Sequence, residues 1–293
     1  RFCGYANKMF PNNIDINGTQ FTFVKQSRRG EVAIYTSGSL YARVGEKKVI
    51  EDKIALHKKF ESFGFPVSPI VGQGAITAGS YYLEESLGEK CFSFLFQDDM
   101  KKFGMISPEL FEKFLGVTEV FARAQLRSAI SDKSTDSFSG LIGPKDLVKE
   151  LPKFEEKILR RFDDAILELK VFPLVLTQGD FNPHNLFPIG VIDFEETYYG
   201  PFGYDLVTNI FSNNYFPETP GYEYIRLSSF TDEQKNLYYT CLDKICIQAG
   251  LPRVSAYREH FEFLRAIWLA KENHKLPKLQ QWRYELFKKS YLQ

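Results

Sequence analysis

Apolar and polar positions alternate with a period of two through much of the first third of the chain, and recur at helical spacing through most of the rest. Residues 21–24 and 32–35 flank a polar turn, Ser27-Arg28-Arg29-Gly30, as the two strands of a hairpin do. Leu40-Tyr41-Ala42-Arg43-Val44 reads as a third strand. Residues 49–63 then place Val49, Leu56, Phe60 and Phe63 on one helical face, and Gly64 stops the helix. Two more strands are expected at residues 67–71 and 81–84, with Gly72-Gln73-Gly74 as the turn between them. From Pro108 onward the spacing predicts helices over residues 108–130, 147–169, 232–249 and 254–273, and the polar stretch 131–140 reads as a mobile loop. Residues 174–203, between these helices, are dense in turn signals and short apolar runs. The expectation is an α+β fold of two lobes with a cleft between them: a strand-rich lobe over residues 1–86 and a mainly helical lobe over residues 87–293.

Composition narrows the function classes. The chain has 293 residues, 44% apolar and 25% charged, which excludes wholesale disorder. Lys plus Arg and Asp plus Glu both number 37, so no bulk charge draws the protein to nucleic acid or to a membrane. No apolar run approaches the roughly 20 residues of a membrane span. The first residues, RFCGYANKMF, lack the apolar stretch of a secretory signal, and four cysteines in such a chain make no disulfide framework. A cytoplasmic location with free thiols is the expectation. The 28 Phe and 16 Tyr point to bulky cores. The four histidines show no metal spacing, no Gly-x-Ser-x-Gly elbow occurs, and no GxxxxGK[ST] phosphate loop is present.

Candidate chemistry lies in one segment. Leu174-Val175-Leu176 leads through Thr177-Gln178-Gly179 to Asp180; a tight turn follows through Asn182-Pro183; Asn185 precedes an apolar pair; and Val191-Ile192 delivers Asp193. Hairpin-like strands carry their ends back to one edge, which brings Asp180, Asn185 and Asp193 towards one point. Two carboxylates and an amide oxygen suit phosphoryl transfer with magnesium. The ion is hard and takes oxygen ligands, and a further carboxylate can orient a hydroxyl and accept its proton.

With a later Tyr204-Asp205-Leu206, this context resembles the aminoglycoside phosphotransferase and choline kinase-like family, relatives of the protein kinases. The resemblance implies a two-lobed protein kinase-like fold, with a small antiparallel-sheet lobe and a larger helical one. It further implies ATP and Mg2+ as cofactors, Asp180 as catalytic base, Asn185 and Asp193 as magnesium ligands, and Asp205 as a brace for the catalytic loop. Arg43 takes the place of the residue that reaches the nucleotide phosphates, with Glu51 or Asp52 of the following helix as its acidic partner. Gly30 belongs to a phosphate loop poor in glycine, where Arg28 or Arg29 adds charge. The stretch 83–87 resembles the inter-lobe hinge, so that the backbone at Glu85 and Leu87 pairs with adenine. Two departures stand out. Gln178 replaces the usual His before the base, and Asp193-Phe194-Glu195 stands where a protein kinase has Asp-Phe-Gly.

Charge bears on the acceptor. No Lys or Arg occurs between Lys170 and Arg226, a stretch that holds Asp180, Asp193, Glu195, Glu196, Asp205, Glu218 and Glu223. With Asp98 and Asp99, these acids favour a cationic acceptor such as an amino sugar or amino alcohol, on which Tyr198 and Tyr199 could stack. Against this, residues 253–289 are net basic, which equally allows a neutral or anionic acceptor. The expected activity is therefore transfer of the γ-phosphate to a hydroxyl of a small, aminated molecule. The alternatives are a sugar, homoserine or choline-like acceptor, or a catalytically silent nucleotide-binding module.

Overall fold

In the computed structural model, which describes residues 10–27, 30–130, 135–194, 196–211, 230–271 and 277–293, the alternating first third folds into strands. β1 (Asn13–Ile16), β2 (Thr19–Gln26), β3 (Val32–Thr36), β4 (Leu40–Gly45), β5 (Ile70–Ile76) and β6 (Gly79–Glu85) form one antiparallel sheet in the order β1-β2-β3-β4-β6-β5. Ile14, Ile16, Phe21, Ala33, Tyr35, Ala42, Val44 and Tyr81 close a core on one face. Val32 and Tyr82 point the other way and pack on Ile50 of α1 (Lys47–Ser62). Covered on both faces, β3 has no exposed position, which is why its residues 32–35 form a continuous apolar run. At the end of the β4–β6 pair Gly79 has φ +142°, and a Cβ there would overlap the Gly45 carbonyl oxygen, so a side chain would push the strands apart.

The strand boundaries shift from the sequence expectation. Gly72 and Gly74 lie inside β5, and the turn falls at residues 77–78 instead. A Cβ at Gly74 would meet the Tyr81 hydroxyl at 2.9 Å and its ring at 3.1 Å, so glycine leaves room there for the partner strand's tyrosine. The two compact units of the chain are Arg1–Glu89 with Ile189–Val191, and Lys90–Pro188 with Ile192–Gln293.

The second unit is mainly helical: α2 (Phe92–Phe103), α3 (Pro108–Arg127), α4 (Asp136–Ile142), α5 (Lys145–Glu150), α6 (Glu155–Glu168), α7 (Tyr204–Phe211), α8 (Asp232–Gln248), α9 (Arg258–Lys271) and α10 (Pro277–Tyr291). Its short strands are β7 (Leu174–Leu176), β8 (Leu186–Phe187) and β10 (Tyr199–Pro201); β9 (Gly190–Val191) belongs to the first unit. α3 starts as its sequence requires, with Pro108 in the first turn and the Ser107 hydroxyl accepting from the Leu110 N–H at 3.4 Å. Its buried face, Phe111, Phe114, Val117 and Phe121, packs with Phe92 and Phe96 of α2, with Phe230 and with Tyr238 of α8. No helix among the described residues is long and apolar enough to cross a membrane.

The helix expected over residues 147–169 breaks in two. Leu151 takes φ −125°, ψ 54° ahead of Pro152, which has no N–H to give and disfavours a helical residue before it. The helix expected from residue 254 begins with a 3-10 turn, Val254–Tyr257. Within the polar stretch expected to be a loop, α4 starts at Asp136, because Phe138 and Ile142 share a face and are buried. Residues 131–134 of that stretch lie outside the described residues.

Candidate active site

The site in the second unit starts from β7. All three residues of β7 are buried, and it pairs with β10, Leu176 opposite Tyr199. One residue further on, the Thr177 N–H and hydroxyl both donate to the Tyr198 carbonyl, at 2.8 and 2.7 Å. The chain then turns on a buried carboxylate from α7. Asp205 Oδ2 accepts from the Gln178 N–H at 2.7 Å and from Gln125 Nε2 of α3 at 3.0 Å, and Oδ1 accepts from the Gly179 N–H at 3.2 Å. Burial pushes the Asp205 carboxyl up to about 7, against the lowering effect of the Gln178 and Gly179 N–H groups and of Arg265. Gly179 has φ +89°, and a Cβ there would overlap the Glu196 carbonyl oxygen, so the turn into Asp180 requires glycine.

Gln178 is fully buried and uses both ends of its amide. Nε2 donates to the carbonyls of Ile192 (3.0 Å) and Asp193 (2.6 Å), while Oε1 accepts from the Asp180 N–H at 2.8 Å. One side chain thereby joins the backbone at Asp180 to the backbone at Asp193. The departure from His at this position keeps a donor and an acceptor in place, as a neutral imidazole would.

From Asp180 the loop is fixed by its own side chains. Phe181 is fully buried and stacks on Phe121 of α3, ring centroids 3.9 Å apart. Asn182 Nδ2 donates to the Asp180 carbonyl at 2.9 Å, and its Oδ1 accepts from the His184 N–H at 2.9 Å, an Asx turn. Asn185 Nδ2 donates to the Asp180 carbonyl at 2.9 Å and lies 3.4 Å from Asp180 Oδ2. The Asn185 carbonyl in turn accepts from the Ile192 N–H at 2.9 Å, which ties the loop to the strand end carrying Asp193. Asp193 holds φ +64°, a left-handed conformation that few side chains adopt and that Asp tolerates better than most. Asp180, Asn185 and Asp193 thus sit in one hydrogen-bonded unit.

Sequence reasoning missed Arg265. It lies on α9, its side chain 2% exposed, and Nη2 meets Asp180 Oδ1 at 2.8 Å while Nη1 donates to the Gly179 carbonyl at 3.1 Å. The signal was a single cation inside the apolar run Phe261 to Ala270. Residues 253–289 are net basic, and one of their cations, on the helix expected over residues 254–273, neutralises an acid of the Lys- and Arg-free stretch.

In the first unit, Arg43 Nε donates to Glu84 Oε1 of β6 at 2.7 Å, both side chains nearly buried. This corrects the expected partner. Glu51 and Asp52 point to solvent and hold Lys47 and Lys48 one turn back, at 3.9 and 2.7 Å. The register explains it: Arg43 stands opposite Tyr82, so Glu84 is its diagonal neighbour on the same sheet face. Gly30 has φ +71° and its N–H donates to the Ser27 carbonyl at 2.8 Å; Arg28 and Arg29 lie outside the described residues. The Glu85 N–H donates to the Pro69 carbonyl at 3.3 Å and its carbonyl accepts from Ser68 Oγ at 2.5 Å. Leu87 is buried, and among the described residues its backbone groups make no hydrogen bond.

Several residues expected to meet an acceptor are used otherwise. Tyr198 is half-buried and turns its hydroxyl into the interior, its ring 6.0 Å from Phe138 and 6.4 Å from Tyr204. Asp98 pairs with Lys90 at 2.6 Å, and Asp99 accepts from the Ser107 N–H and hydroxyl at the start of α3. Glu195, Glu218 and Glu223 lie outside the described residues. Among the described residues no group of three His, Cys, Asp or Glu side chains could hold a metal.

The model of the phosphotransferase enzyme family matches residues 139–234, the stretch that contains Asp180, Asn185, Asp193 and Asp205. No curated protein matches the chain. Among solved structures, an aminoglycoside phosphotransferase from Streptomyces rimosus is 13% identical, with 85% of this chain and 92% of that one covered and a TM-score of 0.51. The structure of that protein with ADP and streptomycin gives 11%, 81%, 90% and 0.46 in the same order. A choline/ethanolamine kinase family protein from Mesorhizobium loti is 12% identical, with 92% of each chain covered and a TM-score of 0.45. The first likeness shows the fold: a protein kinase-like one, with an antiparallel-sheet unit followed by a larger helical unit. Fold and family match together support a small-molecule kinase, an enzyme that moves a phosphoryl group to a hydroxyl.

Proposed function

We propose that the protein is an ATP- and magnesium-dependent phosphotransferase in which Asp180 orients an acceptor hydroxyl and takes its proton. The observation that carries this reading is the hydrogen-bonded unit of Asp180, Asn185 and Asp193. Asp180 is half exposed, so its carboxylate is open to a substrate, while the backbone around it is locked by Gln178, Asn182 and Asn185.

The donor set fits magnesium. Asn185 has its amide nitrogen committed to Asp180, and among the described residues its Oδ1 receives no hydrogen bond. A fixed amide oxygen together with the carboxylate of Asp193 is the hard oxygen set that this ion takes from a protein, nucleotide phosphates completing the shell. When bound, the ion neutralises charge on those phosphates. Arg43, held by Glu84, adds positive charge for them, with the Gly30 turn as their loop. The Glu85 carbonyl and the Leu87 N–H are the backbone groups for adenine.

The acceptor proposed first is aminated, an amino sugar or amino alcohol, on the strength of Asp193, Glu196 and the absence of Lys and Arg from residues 171–225. Because Arg265 and Lys90 neutralise Asp180 and Asp98, neutral sugars belong in the same test. ADP release is measured with ATP and magnesium over a panel of amino sugars, amino alcohols and neutral sugars. Asp180→Asn is expected to lose turnover by about 100-fold or more while its ATP-dependent thermal shift survives. Asp193→Ala is expected to lose that shift. Turnover that survives in Asp180→Asn overturns the assignment of the base. ATP binding that withstands both Asp193→Ala and chelation overturns the metal site.

A further inference from the structure

Arg265 is a cation with almost no access to water. Its helical neighbours Leu264, Ala266 and Ile267 are fully buried, and a guanidinium among them is strongly unfavourable unless its donors are paired. The pairing is specific. Two nitrogens of the planar fork address two consecutive residues, the carbonyl of Gly179 and Oδ1 of Asp180. Burial alone would lower the pKa of Arg265, but Tyr204, Asp180 and Tyr198 outweigh it and keep the group charged.

The division of labour around the loop is clear from the bonds. Asp205 holds the N–H groups of Gln178 and Gly179, and Gln178 holds the N–H of Asp180, so these act on the backbone. Arg265 acts on the carboxylate itself. It occupies Oδ1 and leaves Oδ2, 3.4 Å from Asn185 Nδ2, as the oxygen available to a hydroxyl.

We infer that Arg265 is a positioning residue that fixes the orientation of the Asp180 carboxylate and presents Oδ2 to the acceptor. This rests on the reading of Asp180 as the base. A carboxylate with one oxygen pinned by a buried guanidinium loses one side-chain rotation before substrate arrives, and misplacement of a reacting group by about 1 Å costs on the order of 100-fold in rate.

The test compares Arg265→Lys and Arg265→Ala with the unaltered protein and with Asp180→Asn. The assay follows ADP release from ATP and magnesium, first with water as acceptor and then over the same acceptor panel. A lysine keeps the charge but cannot span both oxygens, so Arg265→Lys is expected to lose about 10-fold or more in kcat, with KM for ATP unchanged. Arg265→Ala is expected to lose about 100-fold, and added guanidinium ion is expected to restore part of it by filling the vacated space. A purely structural role would move the unfolding midpoint without guanidinium rescue and without a kcat loss in folded Arg265→Lys. Should Arg265→Ala fail to fold, the kcat of Arg265→Lys decides. If Asp180→Asn is inactive while Arg265→Lys keeps full kcat, the inference about Arg265 is wrong and the base assignment stands. If Asp180→Asn keeps full turnover, the base assignment itself fails and takes this inference with it.

Discussion

At the scale of single residues, Gln178 shows what the site demands. Its amide makes three hydrogen bonds to backbone, so removing it strands the Asp180 N–H and the carbonyls of Ile192 and Asp193 in a buried place. Gln178→Leu keeps the volume and loses all three; it is expected to cost about 1–3 kcal/mol in urea unfolding and to lower turnover further than stability alone explains. An unchanged midpoint would mean that the loop does not depend on this amide. That Asp180, Asn185 and Asp193 converge was readable, because each follows or precedes a short apolar run that fixes its place in the chain. Arg265 was not, because its partner is 85 positions away and nothing local to α9 requires a cation. The acidic partner of Arg43 was misread for a related reason. Helical phase locates a residue on its own helix, whereas Glu84 reaches Arg43 through sheet register, which a single sequence leaves open.

At the scale of elements, sequence signals worked where local chemistry fixes an end. α8 begins with a capping box in which the Thr231 hydroxyl accepts from the Gln234 N–H and the Gln234 side chain accepts from the Thr231 N–H. Thr231→Ala is expected to lose about 1 kcal/mol of stability, read as a lower denaturant midpoint with unchanged slope, and a neutral result would show that Gln234 alone secures the helix start. The same signals failed where tertiary packing overrides them. α4 forms in a polar stretch because two apolar side chains find the core, and β5 runs through a pair of glycines because the edge of the sheet accepts them. The break at Pro152 was visible in principle, since proline inside a helical pattern ends it.

For the molecule as a whole, one buried carboxyl sets a pH dependence. The folded pKa of Asp205, about 7, lies above the unfolded value near 3.9, so the folded state holds the proton more tightly. That contribution to stability is fully present below about pH 4 and is lost as the pH rises through about 7. Asp205→Asn has no proton to lose, so the stability gap between the natural protein and this variant is expected to be wider at pH 5 than at pH 8 in thermal unfolding. A gap that stays constant would show that the N–H groups of Gln178 and Gly179 and the amide of Gln125 keep the carboxylate ionised throughout. The contact between Arg265 and Asp180 also has a consequence for how the protein is made. Ribosomes build from the amino end, so the acidic loop emerges 85 residues before its counter-ion. Until α9 clears the exit tunnel, a nascent polypeptide carries the carboxylate without the guanidinium that orients it. Orientation of that carboxylate therefore waits for α9 to emerge.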